Sequence, residues 1–231
     1  METVIQTYKT VQLGMEAAPR TVNFLHGGQG VYHTAMLAAA EYLRRKERVL
    51  IVDAANVTDP FFLAGLFKLA DQEPEELLAY GSISRCYTFY QVDVTVTEGV
   101  PEFLRRCGAS ALFVFGLLDL IDDDQVPTAD LIDMLQRMTA TLKEVAAQGV
   151  PVLLASRPLR CQKKEREEYF TYFREIADVH YRLDSDHRRT SARRGRHGKT
   201  DRDRNAADRQ RTGTVGELPP GPPQRRTGAF R

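Results

Sequence analysis

The chain has 231 residues, of which 42% are hydrophobic and 27% charged, values of a soluble globular protein. Its formal net charge of +1 conceals an asymmetry, because residues 185–231 carry 13 Lys and Arg against 5 Asp and Glu, leaving 19 against 26 for residues 1–184. No apolar run reaches the ~20 residues that span a bilayer. The start METVIQTYKT lacks the basic and apolar regions of a secretory signal. Cys86, Cys107 and Cys161 are odd in number and never form a Cys-x-x-Cys pair, which argues against a disulfide framework or a zinc site. The expectation is a cytoplasmic protein without a membrane partner. It divides into a lead-in segment (1–20), an acidic domain (21–184) and a basic tail (185–231).

In chain order, four β-rich runs alternate with helical patterns: Thr21–Leu25, Val49–Val52, Ala111–Phe115 and Val150–Ala155. They are continuously apolar, as strands buried on both faces of a parallel sheet are. Ser84–Phe89 and Asp178–Leu183 are weaker strand candidates. Thr34–Arg45 reads as a helix. So does Pro127–Gln148, where Leu131, Leu135, Met138, Leu142 and Val145 form a stripe between a proline start and Gly149. A shorter Glu-rich helix is expected at Glu165–Tyr172. This alternation predicts a doubly wound three-layer α/β domain, whose ligands sit beyond the carboxyl ends of the strands.

After the first strand comes His26-Gly27-Gly28-Gln29-Gly30-Val31-Tyr32-His33-Thr34, then a helix. Strand, glycine-rich turn and helix form the architecture of a phosphate-binding loop. Against G-x-x-x-x-G-K-[ST], Gly27 matches the first glycine and Thr34 the hydroxyl, while Tyr32 replaces the second glycine and His33 the lysine. Gly27, Gly28, Gly30, His33, Thr34 and Asp53 are thus the candidate residues of a degenerate nucleotide loop. The competing reading is a turn that holds no ligand.

Further along, the chain resembles the ATPase core of the RecA/RadA recombinase family, a P-loop NTPase family. The pattern I-D-T-E-G-T-F-R-P-E-R-L, laid on Val52–Leu63, matches at Asp53, Pro60 and Leu63. Arg85-Cys86-Tyr87-Thr88-Phe89-Tyr90-Gln91 is similar to R-A-[FY]-x-x-x-Q, which makes Arg85 and Gln91 sensor-like candidates. Ala111–Phe115 is shaped like the Mg-binding strand, and Ala177–Leu183 resembles A-D-V-V-x-R-L. The similarity runs from about Thr21 to Leu183. It implies a RecA-like core, ATP and Mg as cofactors, and DNA (single- or double-stranded), a recombinase-type protein or a second copy of the chain as partner.

The departures fall on the chemistry. Ala55 stands where the resemblance places the catalytic Glu, Gly116 where the Mg-binding strand ends in Asp, and His33 where the phosphate Lys lies. These are the parts that neutralise phosphate charge, hold the metal and orient the attacking water, so lost hydrolysis is expected. Asp119, three residues past Gly116, is a candidate metal ligand. Asp122-Asp123-Asp124 reads as a solvated helix entry. Arg157, Arg160, Lys163 and Lys164 follow the fourth strong strand, where the resemblance places a DNA-facing loop, and their cations suit phosphates. A solvated surface segment is the alternative.

The tail has 7 hydrophobic residues among its last 47, too few to offset the entropy of ordering. It reads either as a disordered basic arm or as GC-rich sequence translated out of frame. The expected function is a recombinase-like accessory protein of DNA repair or recombination that binds without hydrolysing ATP. The alternatives are a divergent Mg-ATP-dependent DNA-stimulated ATPase and a scaffold that kept only the fold.

Overall fold

The computed structural model describes residues 2–121, 126–158, 168–183 and 191–194. The elements, in chain order, are α1 (Glu2–Ala17), β1 (Val22–Gly27), α2 (Val31–Arg44), β2 (Val49–Asp53), α3 (Pro60–Leu69), α4 (Pro74–Leu78), β3 (Gly81–Arg85), α5 (Phe89–Val94), α6 (Val100–Cys107), β4 (Ala111–Phe115), α7 (Thr128–Ala147), β5 (Val152–Ser156), α8 (Glu168–Ile176), β6 (Val179–Leu183) and β7 (Ser191–Arg194). A π-helical turn, Thr95–Gly99, joins α5 to α6.

The sheet runs β3-β2-β4-β5-β1-β6-β7. Its first six strands are parallel and β7 pairs antiparallel with β6. This is an α/β architecture, and the strand order differs from that of the doubly wound dinucleotide-binding fold. β7 lies in the segment that composition assigns to the tail.

Alternation of side chains along each strand builds two cores. Leu50, Val52, Leu112, Val114, Val152 and Leu154 face α5–α8. Val49, Ile51, Phe113, Phe115, Leu153 and Ala155 face α1–α4. Helices therefore cover both sheet faces, which is why the strand runs read as continuously apolar.

The strong strands lie within two residues of their expected positions, and the long helix is α7 as expected. Three differences are instructive. The lead-in segment carries a helix packed into the fold: Thr7, Val11 and Met15 of α1 are fully buried at four-residue spacing. The weak strand is Gly81–Arg85 rather than Ser84–Phe89, because the Thr88 hydroxyl accepts from the Gln91 N–H and Gln91 Oε1 accepts from the Tyr87 N–H. Reciprocal capping of this kind starts a helix and ends the strand before it. Helix α2 begins at Val31, three residues before Thr34. The described part of the Glu-rich helix is Glu168–Ile176, and Asp122–Asp124 and 159–167 lie outside the described residues.

Long-range polar contacts pin β1. The Asp178 carboxylate accepts from the Val22 N–H at 2.9 Å, and the Asp178 N–H donates to the Val22 carbonyl at 2.8 Å. The buried Asn23 amide donates to the Val152 carbonyl, and its oxygen accepts from the Tyr181 hydroxyl. Tyr181 also governs α1, because a Cβ on Gly14 would lie 1.9 Å from its hydroxyl oxygen.

Alanine in a helix interior normally gains up to about 1 kcal/mol over glycine, so the sign at position 14 tests this packing. Gly14→Ala should instead destabilise the chain by about 1–3 kcal/mol, read as a lower Tm. Tyr181→Phe in the same chain should recover most of the loss. A stabilised Gly14→Ala single variant contradicts the packing.

Candidate functional site

The carboxyl ends of β1, β5, β4 and β2 gather most of the residues singled out in the sequence. Gly27 ends β1 with φ +153°, and a Cβ there would lie 2.1 Å from the Leu183 carbonyl oxygen of β6. Only glycine fits. The Gly28 N–H donates to that same carbonyl at 3.3 Å. Gly30, at φ +98°, caps α2 in the left-handed region with no side-chain hydrogen bond to the helix. The loop proper is thus only Gly28–Gly30, and Tyr32 and His33 lie in the first turn of α2. A bulky residue takes helical backbone angles readily, and this chain has Tyr32 where a longer cradle has its second glycine.

His33 is exposed and packs edge-on against the Phe62 ring of α3, with centroids 5.4 Å apart. Thr34 is fully buried, and its hydroxyl has no hydrogen-bond partner. Asp53, also buried, accepts from the Val57 and Thr58 N–H groups at 3.1 and 2.8 Å. Its carboxylate therefore organises the β2–α3 loop. Arg85 donates to the Thr58 carbonyl of that loop at 2.8 Å, and Gln91 is spent on the α5 cap. The two sensor-like candidates thus serve local structure.

The two positions where the resemblance leads one to expect acids meet directly. The Phe115 carbonyl accepts from both the Ala54 and Ala55 N–H groups, at 2.9 and 3.2 Å. This draws Ala55 onto Gly116, whose φ is +63° and whose Cβ, if present, would lie 2.5 Å from the Ala55 Cβ and 2.9 Å from its backbone nitrogen. Position 116 has no room for a side chain without moving the Ala55 backbone.

Asp119 reaches the same edge through a turn closed by its N–H on the Gly116 carbonyl. Its carboxylate accepts from the Tyr32 hydroxyl at 2.7 Å and lies 3.5 Å from Arg157, which follows β5. The Arg157 guanidinium sits 5.2 Å from the centre of the Tyr32 ring, and that ring stands 6.3 Å from Phe115. Burial, followed by the charge and hydrogen bond of Asp119, pushes the Tyr32 hydroxyl well above the ordinary tyrosine pKa. Tyr32 therefore stays protonated and donates at neutral pH. Sequence spacing gave no sign of this three-residue cluster. The available signal was a tyrosine in a glycine position.

The residues do not fit Mg-ATP as they are folded. Tyr32 bonds to Asp119 across the edge, His33 packs on Phe62, and Ala55 fills the space a side chain at position 116 would need. The orphaned Thr34 hydroxyl is a feature suited to such a group. Among the described residues, no group of three or more His, Cys, Asp or Glu is placed to hold a metal, and no helix is long and apolar enough to cross a membrane. Of the candidate DNA contacts, Arg157 belongs to the cluster, and Arg160, Lys163 and Lys164 lie outside the described residues. Comparison of the chain with known protein families finds no match, and comparison with curated proteins finds no relative.

Restoring the acid at position 116 tests the closed edge. Gly116→Asp should destabilise by about 2–4 kcal/mol, from backbone strain at positive φ and overlap with Ala55. The readout is a thermal melt, and an unchanged Tm contradicts the contact.

Proposed function

We propose that this chain is a recombinase-like accessory protein of DNA repair or recombination, built on a RecA-type core, that acts by binding rather than by ATP turnover. The observation that carries the reading is the contact of Ala55 with Gly116. The resemblance places the metal-holding and water-orienting acids at those two positions; the chain has neither acid, and Ala55 fills the space a side chain at position 116 would need. Removing one such group typically slows catalysis by about 10²–10³-fold, and this chain lacks both together with the phosphate lysine. The order of elements from β1 to β6 and the Asp178–Val22 contact within the Ala177–Leu183 motif are in keeping with that core.

A specific observation favours a protein partner over DNA alone. Helix α3 has the sequence PFFLAGLFKL, with one charged residue in ten, yet buries only Leu63 and Phe67. Phe61 and Leu69 are 86% and 87% exposed and fall, with Gly65, on one face at four-residue spacing. Tyr87 and Tyr90, just beyond β3, are exposed as well. An apolar face of this kind suits a protein surface, and a RecA-type recombinase is the partner this reading names.

The full chain should release phosphate from ATP no faster than a buffer control, with or without single-stranded DNA. Turnover that Thr34→Ala abolishes would refute the reading and restore the ATPase alternative. The full chain should also bind a purified RecA-type recombinase in titration calorimetry. Phe61→Glu with Leu69→Glu should weaken that binding by at least about tenfold, a loss of about 1.4 kcal/mol, with Tm unchanged. If DNA is the ligand instead, Arg160, Lys163 and Lys164 replaced together by Ala should remove most single-stranded DNA binding at ~50 mM salt and leave recombinase binding intact.

A further inference from the structure

The cluster of Tyr32, Asp119 and Arg157 joins three separate parts of the sheet edge. Tyr32 comes from the first turn of α2, Asp119 from the turn after β4, and Arg157 from the end of β5, the strand that lies between β1 and β4. The cluster therefore bridges the carboxyl end of β5. In open α/β sheets that edge is where ligands bind. The arrangement is also chemically specific. A carboxylate accepts from a hydroxyl and sits beside a guanidinium, the two donors that an oxyanion of a phosphate would use.

We infer that this cluster is an autoinhibitory contact, in which the carboxylate of Asp119 is a resident anion that keeps polyphosphate ligands off the α2 edge. The inference rests on the reading of that edge as a former phosphate site. Three further observations agree with it. The start of α2 has a glycine cap, no side-chain cap and no acidic residue in its first turn, so the helix supplies no anion of its own. Thr34 buries a hydroxyl without a hydrogen-bond partner two residues after Tyr32. The Tyr32 ring is only 5% exposed, whereas the Arg157 side chain is 57% exposed. The tyrosine and carboxylate form the fixed half of the contact, and the arginine is the half free to turn.

An exposed guanidinium at 3.5 Å makes a weak pair, screened by solvent. The arginine half of the contact is therefore one that a small change can open. Opening that half would free the Arg157 cation, and removing the Asp119 charge would uncover the first turn of α2. A polyanion would be received by Arg157 and the N–H groups of Tyr32 and His33, since those of Val31 and Thr34 donate to the Gly28 and Gly30 carbonyls.

The test titrates the full chain with inorganic tripolyphosphate, without metal, in a calorimeter. The unaltered chain should bind only weakly. Asp119→Asn, which keeps the shape and removes the charge, should bind at least about tenfold more tightly. Adding Arg157→Ala to Asp119→Asn should cancel the gain, because the released guanidinium is the receiving group. Tyr32→Phe, which keeps the ring against Phe115 and removes the donor to Asp119, should show a smaller gain of the same sign and serves if Asp119→Asn fails to fold by circular dichroism. Folded variants that bind no more tightly than the parent overturn the inference. So does a gain that survives Arg157→Ala, since it reflects lost charge alone. Recombinase and DNA binding by the unaltered chain are separate measurements, so failure here leaves the accessory function to stand or fall on those.

Discussion

The carbonyl of Phe115 accepts two successive backbone N–H groups, those of Ala54 and Ala55, and the shape of the whole ligand edge follows from it. The β2 loop is pulled across the end of β4. Ala55 lands on Gly116, and the backbone can turn there because Gly116 tolerates positive φ. The turn in its turn delivers Asp119, whose N–H closes on the Gly116 carbonyl. Asp53 completes the arrangement from beneath by accepting from the Val57 and Thr58 N–H groups. A buried carboxylate needs such partners, and here they are supplied by the backbone of the loop it shapes. The aspartate that sequence comparison would place near a nucleotide is thus committed to architecture.

Glycine plays an equally architectural part at the other end of the site. Gly27 is required because β6 places a carbonyl where a Cβ would be, and that requirement is independent of any ligand. A glycine-rich turn after a strand therefore has two physical origins that sequence alone does not separate: close approach of a phosphate, or close approach of a neighbouring strand. In this chain the second origin is visible for Gly27, and helical capping accounts for Gly30.

What was legible in the sequence was whatever depended on burial along the chain. Val49–Val52 and Ala111–Phe115 read as strands because both faces of the sheet are covered, and α7 read as a helix because its stripe repeats over five residues. Helix α1 was not legible. Its buried stripe is only Thr7, Val11 and Met15, and one member is polar. The Thr88–Gln91 cap was present in the letters, but a run of β-prone residues masked it. The site was legible in position and not in content. Ala55 and Gly116 are 61 residues apart in sequence, and their contact arises only because β2 pairs with β4. Tyr32 and Asp119 are 87 residues apart and Asp119 and Arg157 are 38 apart, and no local spacing relates them.

The two unusual surfaces of the molecule have a common physical logic. At the ligand edge, polar groups that would otherwise invite a ligand are paired with one another: Asp53 with backbone, Asp119 with Tyr32 and Arg157. At α3 the reverse holds, since Phe61 and Leu69 stay in water although burying each side chain would be worth about 1.5–3 kcal/mol. A single exposed leucine is ordinary, but two large apolar residues on one face of a helix with a lone lysine are not balanced by any polar role on that helix. Stability of the isolated fold does not account for them, because Leu63 and Phe67 already anchor α3 to the core. The proposed protein partner would account for them, because covering that face would realise the free energy the fold leaves unrealised. On the proposed reading the two surfaces belong together: at the edge where the resemblance places chemistry the polar groups are paired with one another, and the apolar face of α3 is left for the partner it proposes.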